Sequence, residues 1–78
     1  MNGKKSVTVS NKGNEGINKL HVLKTFSNYG ALEFEKIGFY YDEFMNGKDW
    51  VFEVEEDKLE LITNCFAIFK PKVKFEVQ

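Results

Sequence analysis

Few side chains here can do covalent or acid-base chemistry: one histidine, His21, one cysteine, Cys65, and a run of carboxylates between Asp42 and Glu60. An imidazole or thiol becomes a base or nucleophile when a second group orients and polarises it. No H-E-x-x-H, G-x-S-x-G or C-x-x-C pattern flanks either residue, so each would have to act alone. Cys65 shares an apolar helical stripe with Leu59, Ile62, Phe66 and Phe69, the place of a small core residue. His21 falls at the margin of another apolar band, as an ordinary boundary histidine does. The carboxylates lack the spacing of a calcium loop, and a charge run is the usual signature of a solvated face. We therefore expect no enzyme, no metal and no cofactor.

Two stretches point to binding instead. The first is the loop Lys12, Gly13, Asn14, Glu15, Gly16, between a strand-like and a helix-like segment, where free backbone N–H groups can cradle an anion. It lacks the spacing of a nucleotide loop, and Glu15 has the wrong sign for one. The second is a stretch of rings and acids around Asn46-Gly47, a pair favoured in two-residue hairpin turns. Counting outward from that turn sets Glu43 opposite Trp50, Tyr41 opposite Phe52 and Phe39 opposite Val54. Tyr40, Asp42, Phe44, Met45, Asp49, Val51 and Glu53 then share the other face or the turn, as a partner-binding patch with an acidic rim.

The elements that must position these residues follow from periodicity. Residues 5–10 alternate Val7 and Val9 with Ser6, Thr8 and Ser10, the pattern of a half-buried strand. Residues 17–29 carry Leu20, Leu23 and Phe26 at helical spacing, with Gly30 placed to cap, although Leu20, Val22 and Phe26 also share one strand parity. Residues 31–44 look strand-like with a parity change: Leu32 and Phe34 fall in one phase and Ile37, Phe39 and Tyr41 in the other, which calls for a bulge. Asp57 with Glu60 has the form of a capping box ahead of a second helix stopped by Pro71. Residues 72–78 alternate Val73, Phe75 and Val77 with polar neighbours and form the last strand.

The resulting order, βαββαβ, predicts an α+β fold over residues 1–78. Its economical form is a ferredoxin-like antiparallel sheet, strand order 4-1-3-2, with two helices on one face. If residues 20–26 are a strand, the alternative is an antiparallel sheet of four to five strands on a single C-terminal helix. By parity the uncovered sheet face shows Ser6, Thr8 and Ser10 beside Asp49, Val51, Glu53 and Glu55, without stacking rings.

Composition narrows the partners. Residues 1–30 carry five Lys against Glu15, whereas residues 42–60 carry eight acids against Lys48 and Lys58. Every basic residue is Lys, so the side chain best suited to bidentate phosphate or guanine contacts is missing and nucleic acid is disfavoured. The lone cysteine and the polar start at residues 1–7 point to the cytoplasm, with no membrane partner. Lys, Asn, Phe and Ile are abundant, as in chains from AT-rich genomes. The expected function is a non-catalytic protein-interaction module, a small phage or mobile-element inhibitor or regulator. Its acidic, aromatic hairpin would bind a larger intracellular protein with a basic surface, in the sharpest form by imitating nucleic acid. The alternative is a small-ligand or nucleic-acid binding domain using the open sheet face and the Lys12, Gly13, Asn14 and Gly16 loop. Monomer and homodimer are both compatible with the final strand, whose alternating Lys residues discourage self-pairing.

Overall fold

A computed structural model describes residues 3–78; Met1 and Asn2, part of the domain expected over 1–78, lie outside the described residues. β1 (Lys4–Val9) leads through the glycine-containing loop to α1 (Lys19–Asn28). A 3-10 turn (Phe34–Lys36) runs directly into α2 (Ile37–Met45), and β2 (Trp50–Glu55), α3 (Glu56–Ala67) and β3 (Glu76–Val77) follow. The sheet order is β2-β1-β3, with both pairings antiparallel.

The fold is thus α+β, with three strands and three helices in the order βααβαβ. It differs from the expected βαββαβ at one element, residues 37–45, which form a helix in place of the second strand. The single-helix alternative is likewise overturned, because residues 20–26 lie within α1. The parity change in residues 31–44 was the sign of a period other than two. Ile37, Tyr40 and Phe44 are spaced i, i+3, i+7, which puts them on one helical face, and Ile37 and Phe44 are buried.

Asn46-Gly47 consequently ends a helix and turns no hairpin. Gly47 has φ +92°; its N–H donates to the Phe44 carbonyl at 3.1 Å, and the Lys48 N–H reaches the Glu43 carbonyl at 3.0 Å. This is a Schellman cap, which satisfies the carbonyls orphaned at a helix end. A type I′ turn and this cap both demand a left-handed residue, so Asn-Gly suits either. The expected pairs of Glu43, Tyr41 and Phe39 with Trp50, Phe52 and Val54 do not form; β2 pairs with β1 instead, Val9 opposite Trp50 and Val7 opposite Phe52. Gly30, φ +78°, closes α1 in the same manner, with the Ala31 N–H on the Phe26 carbonyl at 2.9 Å. A Cβ at Gly47 would meet open space, so Gly47→Ala tests backbone strain alone. It should cost about 1–2 kcal/mol, read as a shift in urea midpoint with unchanged slope.

Two further boundaries differ from expectation. α3 begins at Glu56 without a side-chain cap from Asp57, because β2 runs straight into it and the Glu56 N–H is taken by the Gly3 carbonyl at 3.0 Å. The last strand shrinks from 72–78 to Glu76–Val77, because the Lys74 N–H and carbonyl are engaged by the Asn14 side chain and Val73 turns into the core.

One face of the sheet carries Val7, Val9, Trp50, Phe52 and Val54, all buried, and the helices cover it with Val22, Leu23, Phe26, Ile37, Phe44, Ile62 and Phe66. Rings dominate the contact. Phe44 stacks on Trp50 with centroids 4.1 Å apart, Phe26 meets Phe52 at 4.7 Å, and Phe66 sits edge-on to Phe26 at 5.3 Å. The Trp50 indole N–H, which burial would otherwise strand, donates to the Tyr40 carbonyl at 2.8 Å. Trp50 thereby ties the strand to α2.

Candidate interaction surfaces

The structure divides the seven residues expected to form one patch. Phe44 is 1% exposed and belongs to the core, so it offers no contact to a partner. Tyr40 is half-buried between core and surface, packed edge-on against Phe52 at 5.0 Å and Phe39 at 5.3 Å. Asp42 and Met45 are exposed on α2. Val51 and Glu53 point from β2 to the uncovered sheet face, on the side opposite the α2 contact with Trp50. Asp49 lies in the connection to β2 and accepts the Asn11 N–H at 2.7 Å. The face shared by a hairpin does not exist; two separate surfaces do.

The first surface follows the 3-10 turn and α2. Phe34, Phe39 and Met45 are 68, 59 and 60% exposed, and Tyr41 also reaches the surface. Helical geometry explains why: with Ile37, Tyr40 and Phe44 turned inward, Phe39 falls on the far side of the helix and Met45 on its flank. Two depressions meet at Tyr40 and Lys36. One, of about 510 Å³, is bounded by residues 30–33 and the other, of about 290 Å³, by Glu35 and Phe39. Glu33, Glu35 and Asp42 are exposed along this surface, against Lys36. Phe34, Phe39 and Lys36 were not singled out from the sequence, since reading residues 31–44 as a strand assigned Phe39 to the buried face. The parity break was the signal that would have found them.

The second surface is the uncovered sheet face. Ser6 stands opposite Glu53, Thr8 opposite Val51 and Glu76, and Lys4 opposite Glu55. No ring lies among them, as the alternation implied. The Ser6 hydroxyl donates to a Glu53 carboxylate oxygen at 3.3 Å.

The glycine loop is built around its own side chains. Asn14, 2% exposed, donates to the Ser10 carbonyl at 2.8 Å and the Lys74 carbonyl at 2.9 Å, and accepts the Lys74 N–H at 2.9 Å. It fastens the loop to the C-terminal segment, so it is a structural clamp with no donor left for a ligand. The Gly13 N–H, expected to be free for an anion, donates to the Glu15 carboxylate at 2.9 Å. Lys12 and Gly16 are exposed on either side. Backbone N–H groups of Glu15 itself and of Gly13 hold the Glu15 carboxyl below the ordinary glutamate value, and Lys12 and Lys74 act in the same direction. A depressed pKa stabilises the folded state above the unfolded-state value and ceases to do so as pH falls through the folded one. Glu15→Gln should therefore lower the melting midpoint near neutral pH, and the difference from the parent should shrink as pH falls below the ordinary glutamate range.

His21 stacks on Phe69, centroids 5.0 Å apart, and Cys65 lies 3.9 Å from the Tyr29 hydroxyl, which that contact holds above the ordinary phenol value. Among the described residues no three His, Cys, Asp or Glu side chains converge as metal ligands. Among the described residues no helix is long and apolar enough to cross a membrane.

No family model matches the chain, and neither does a curated protein or a solved structure. The surfaces themselves carry the functional argument.

Proposed function

We propose that the chain is a non-catalytic protein-interaction module that engages a larger intracellular protein through the surface formed by the 3-10 turn and α2. The observation that carries this is the exposure of Phe34, Phe39 and Met45 along the 3-10 turn and α2, where Phe39 and Tyr40 also bound a depression. Single exposed apolar residues are normal on soluble proteins, but several large ones grouped on one short segment characterise binding surfaces. Tyr40, anchored in the core at its inner edge, supplies rigid contact area at low entropic cost. Glu33, Glu35 and Asp42 supply the charge that steers a basic partner and support the nucleic-acid-mimic form of the proposal. A composition rich in Lys, Asn, Phe and Ile supports a phage or mobile-element inhibitor or regulator acting in the cytoplasm. The architecture is read as a ferredoxin-like split arrangement with α2 standing in place of the second strand, because β1 still lies between the flanking strands.

The alternative of a small-ligand or nucleic-acid site has less support. The open sheet face shows no rings for bases to stack on, and the Gly13 N–H is occupied by Glu15. The test is a variant with Phe34, Phe39 and Met45 all replaced by Ser, compared with the parent for capture of a partner from a lysate of the producing cells. The variant should lose at least about tenfold in captured partner while keeping its melting midpoint, since none of the three side chains is buried. Undiminished capture would remove this surface from the proposal.

A further inference from the structure

β2 leaves one side of its backbone unpaired. On the other flank of the sheet, the Ser6 N–H reaches the Gln78 carbonyl at 3.3 Å and the Gln78 N–H the Ser6 carbonyl at 2.9 Å, so Ser6 turns its main-chain groups toward β3. Antiparallel pairing alternates, and Val7 therefore turns its own toward Phe52 of β2. The Glu56 N–H on the Gly3 carbonyl keeps the same phase at the strand's end. The main-chain groups of Phe52 and Val54 are thus spent on β1, while the N–H and C=O of Val51 and Glu53 point away from the sheet. Among the described residues nothing hydrogen-bonds to them. β2 is the terminal strand of the sheet, and Val51, 60% exposed, and Glu53 stand exposed beside that edge. α2, which occupies the sequence position of an expected strand, leaves this edge unpaired.

We infer that this edge accepts an extended segment bearing Lys or Arg at alternate positions, added as a fourth strand by main-chain hydrogen bonds. Strand addition requires an unpaired edge of ordinary strand length, and Trp50–Glu55 supplies six residues of it. Side-chain alternation sets the sequence preference. Val51, Glu53 and Glu55 share the uncovered face; Glu53 accepts a hydrogen bond from the Ser6 hydroxyl and Glu55 faces Lys4. Basic side chains two residues apart on an incoming strand meet Glu53 and Glu55 directly across the new pairing. A second copy of this chain is a poor occupant, because an antiparallel self-pairing of the outward-facing residues sets Glu53 against Glu53, Glu55 or Asp49, or Asp49 against Glu55. This deepens the protein-interaction proposal by naming a partner segment, yet it uses a surface other than α2.

The test is a 15N-resolved titration of the whole chain with a blocked peptide of alternating Lys and Val, about seven residues long, matched to the strand. An alternating Glu and Val peptide serves as control. The basic peptide should shift the amides of Val51, Glu53 and Glu55, and the acidic one should leave them unmoved. Val51→Pro removes an outward N–H without touching the β1 pairing and should weaken binding at least about tenfold. Glu53→Lys leaves the backbone intact and should weaken it by about tenfold, a readout that survives if the proline variant fails to fold. The inference is overturned if the peptide shifts α2 or α3 in place of β2, or if both peptides bind alike. It is equally overturned if a folded Val51→Pro binds as the parent does, or if the edge is already closed by concentration-dependent self-association. Binding here with undiminished capture by the Phe34, Phe39 and Met45 variant would separate the two surfaces.

Discussion

Trp50→Ala is expected to be the most destabilising single substitution in the chain, costing about 3–5 kcal/mol. Three losses coincide. The side chain is 1% exposed, so its removal leaves a large cavity; its stacking on Phe44 disappears; and the Tyr40 carbonyl loses the indole N–H. A domain of this length commonly has only about 5–10 kcal/mol of total stability, so most of it would be gone. The melting midpoint should fall on the order of 20 °C, measured by circular dichroism. Trp50→Phe separates the contributions: it keeps most of the packing and gives up the hydrogen bond, and should cost about 1–2 kcal/mol. If Trp50→Ala melted within a few degrees of the parent, the packing of α2 over β2 would be wrong.

Asn14→Leu ranks second, although Asn14 lies in a loop whose composition suggests no more than flexibility. Leucine approximates the volume but cannot make the three hydrogen bonds to Ser10 and Lys74, and it leaves the Lys74 N–H and two carbonyls without their partner. Stranding buried main-chain groups costs about 1–3 kcal/mol each where water cannot reach them, so a total loss of about 2–4 kcal/mol is expected. The damage has a location. Val73, Phe75 and the short β3 hang on this clamp, and amide exchange at Gln78, bonded to Ser6, should accelerate more than exchange at Phe52. Asn14→Asp keeps the acceptor for the Lys74 N–H but sets a carboxylate against two carbonyls, and should fall between leucine and the parent. Uniform acceleration along the chain would contradict a local clamp.

Where one period dominated, the sequence disclosed the structure. The alternation of Val7 with Val9, and of Trp50, Phe52 and Val54, placed both long strands and their buried faces correctly. The spacing of Ile62 and Phe66 did the same for α3. Residues 31–44 were misread because β-branched and aromatic residues such as Ile37, Phe39 and Tyr41 favour strands locally, while packing of Ile37 and Phe44 against the core decides for helix. Asn46-Gly47 reinforced the error, since one glycine conformation serves two different turns. The contact surface inherited that error: with residues 37–45 helical, Phe44 moves inward and Phe39 outward. Asn14 was illegible for another reason, because its partner Lys74 is distant in sequence and nothing local announces the pairing.

Site-specific photo-crosslinking tests the central claim, contact through the 3-10 turn and α2, most directly. A benzophenone side chain is placed in turn at Phe39 and at Ile68, which is the more exposed of the two at 77% against 59%. Illumination in the producing cells should join one partner to the chain carrying the probe at position 39 and give little product from position 68. A partner captured from position 68 and none from position 39 would contradict it.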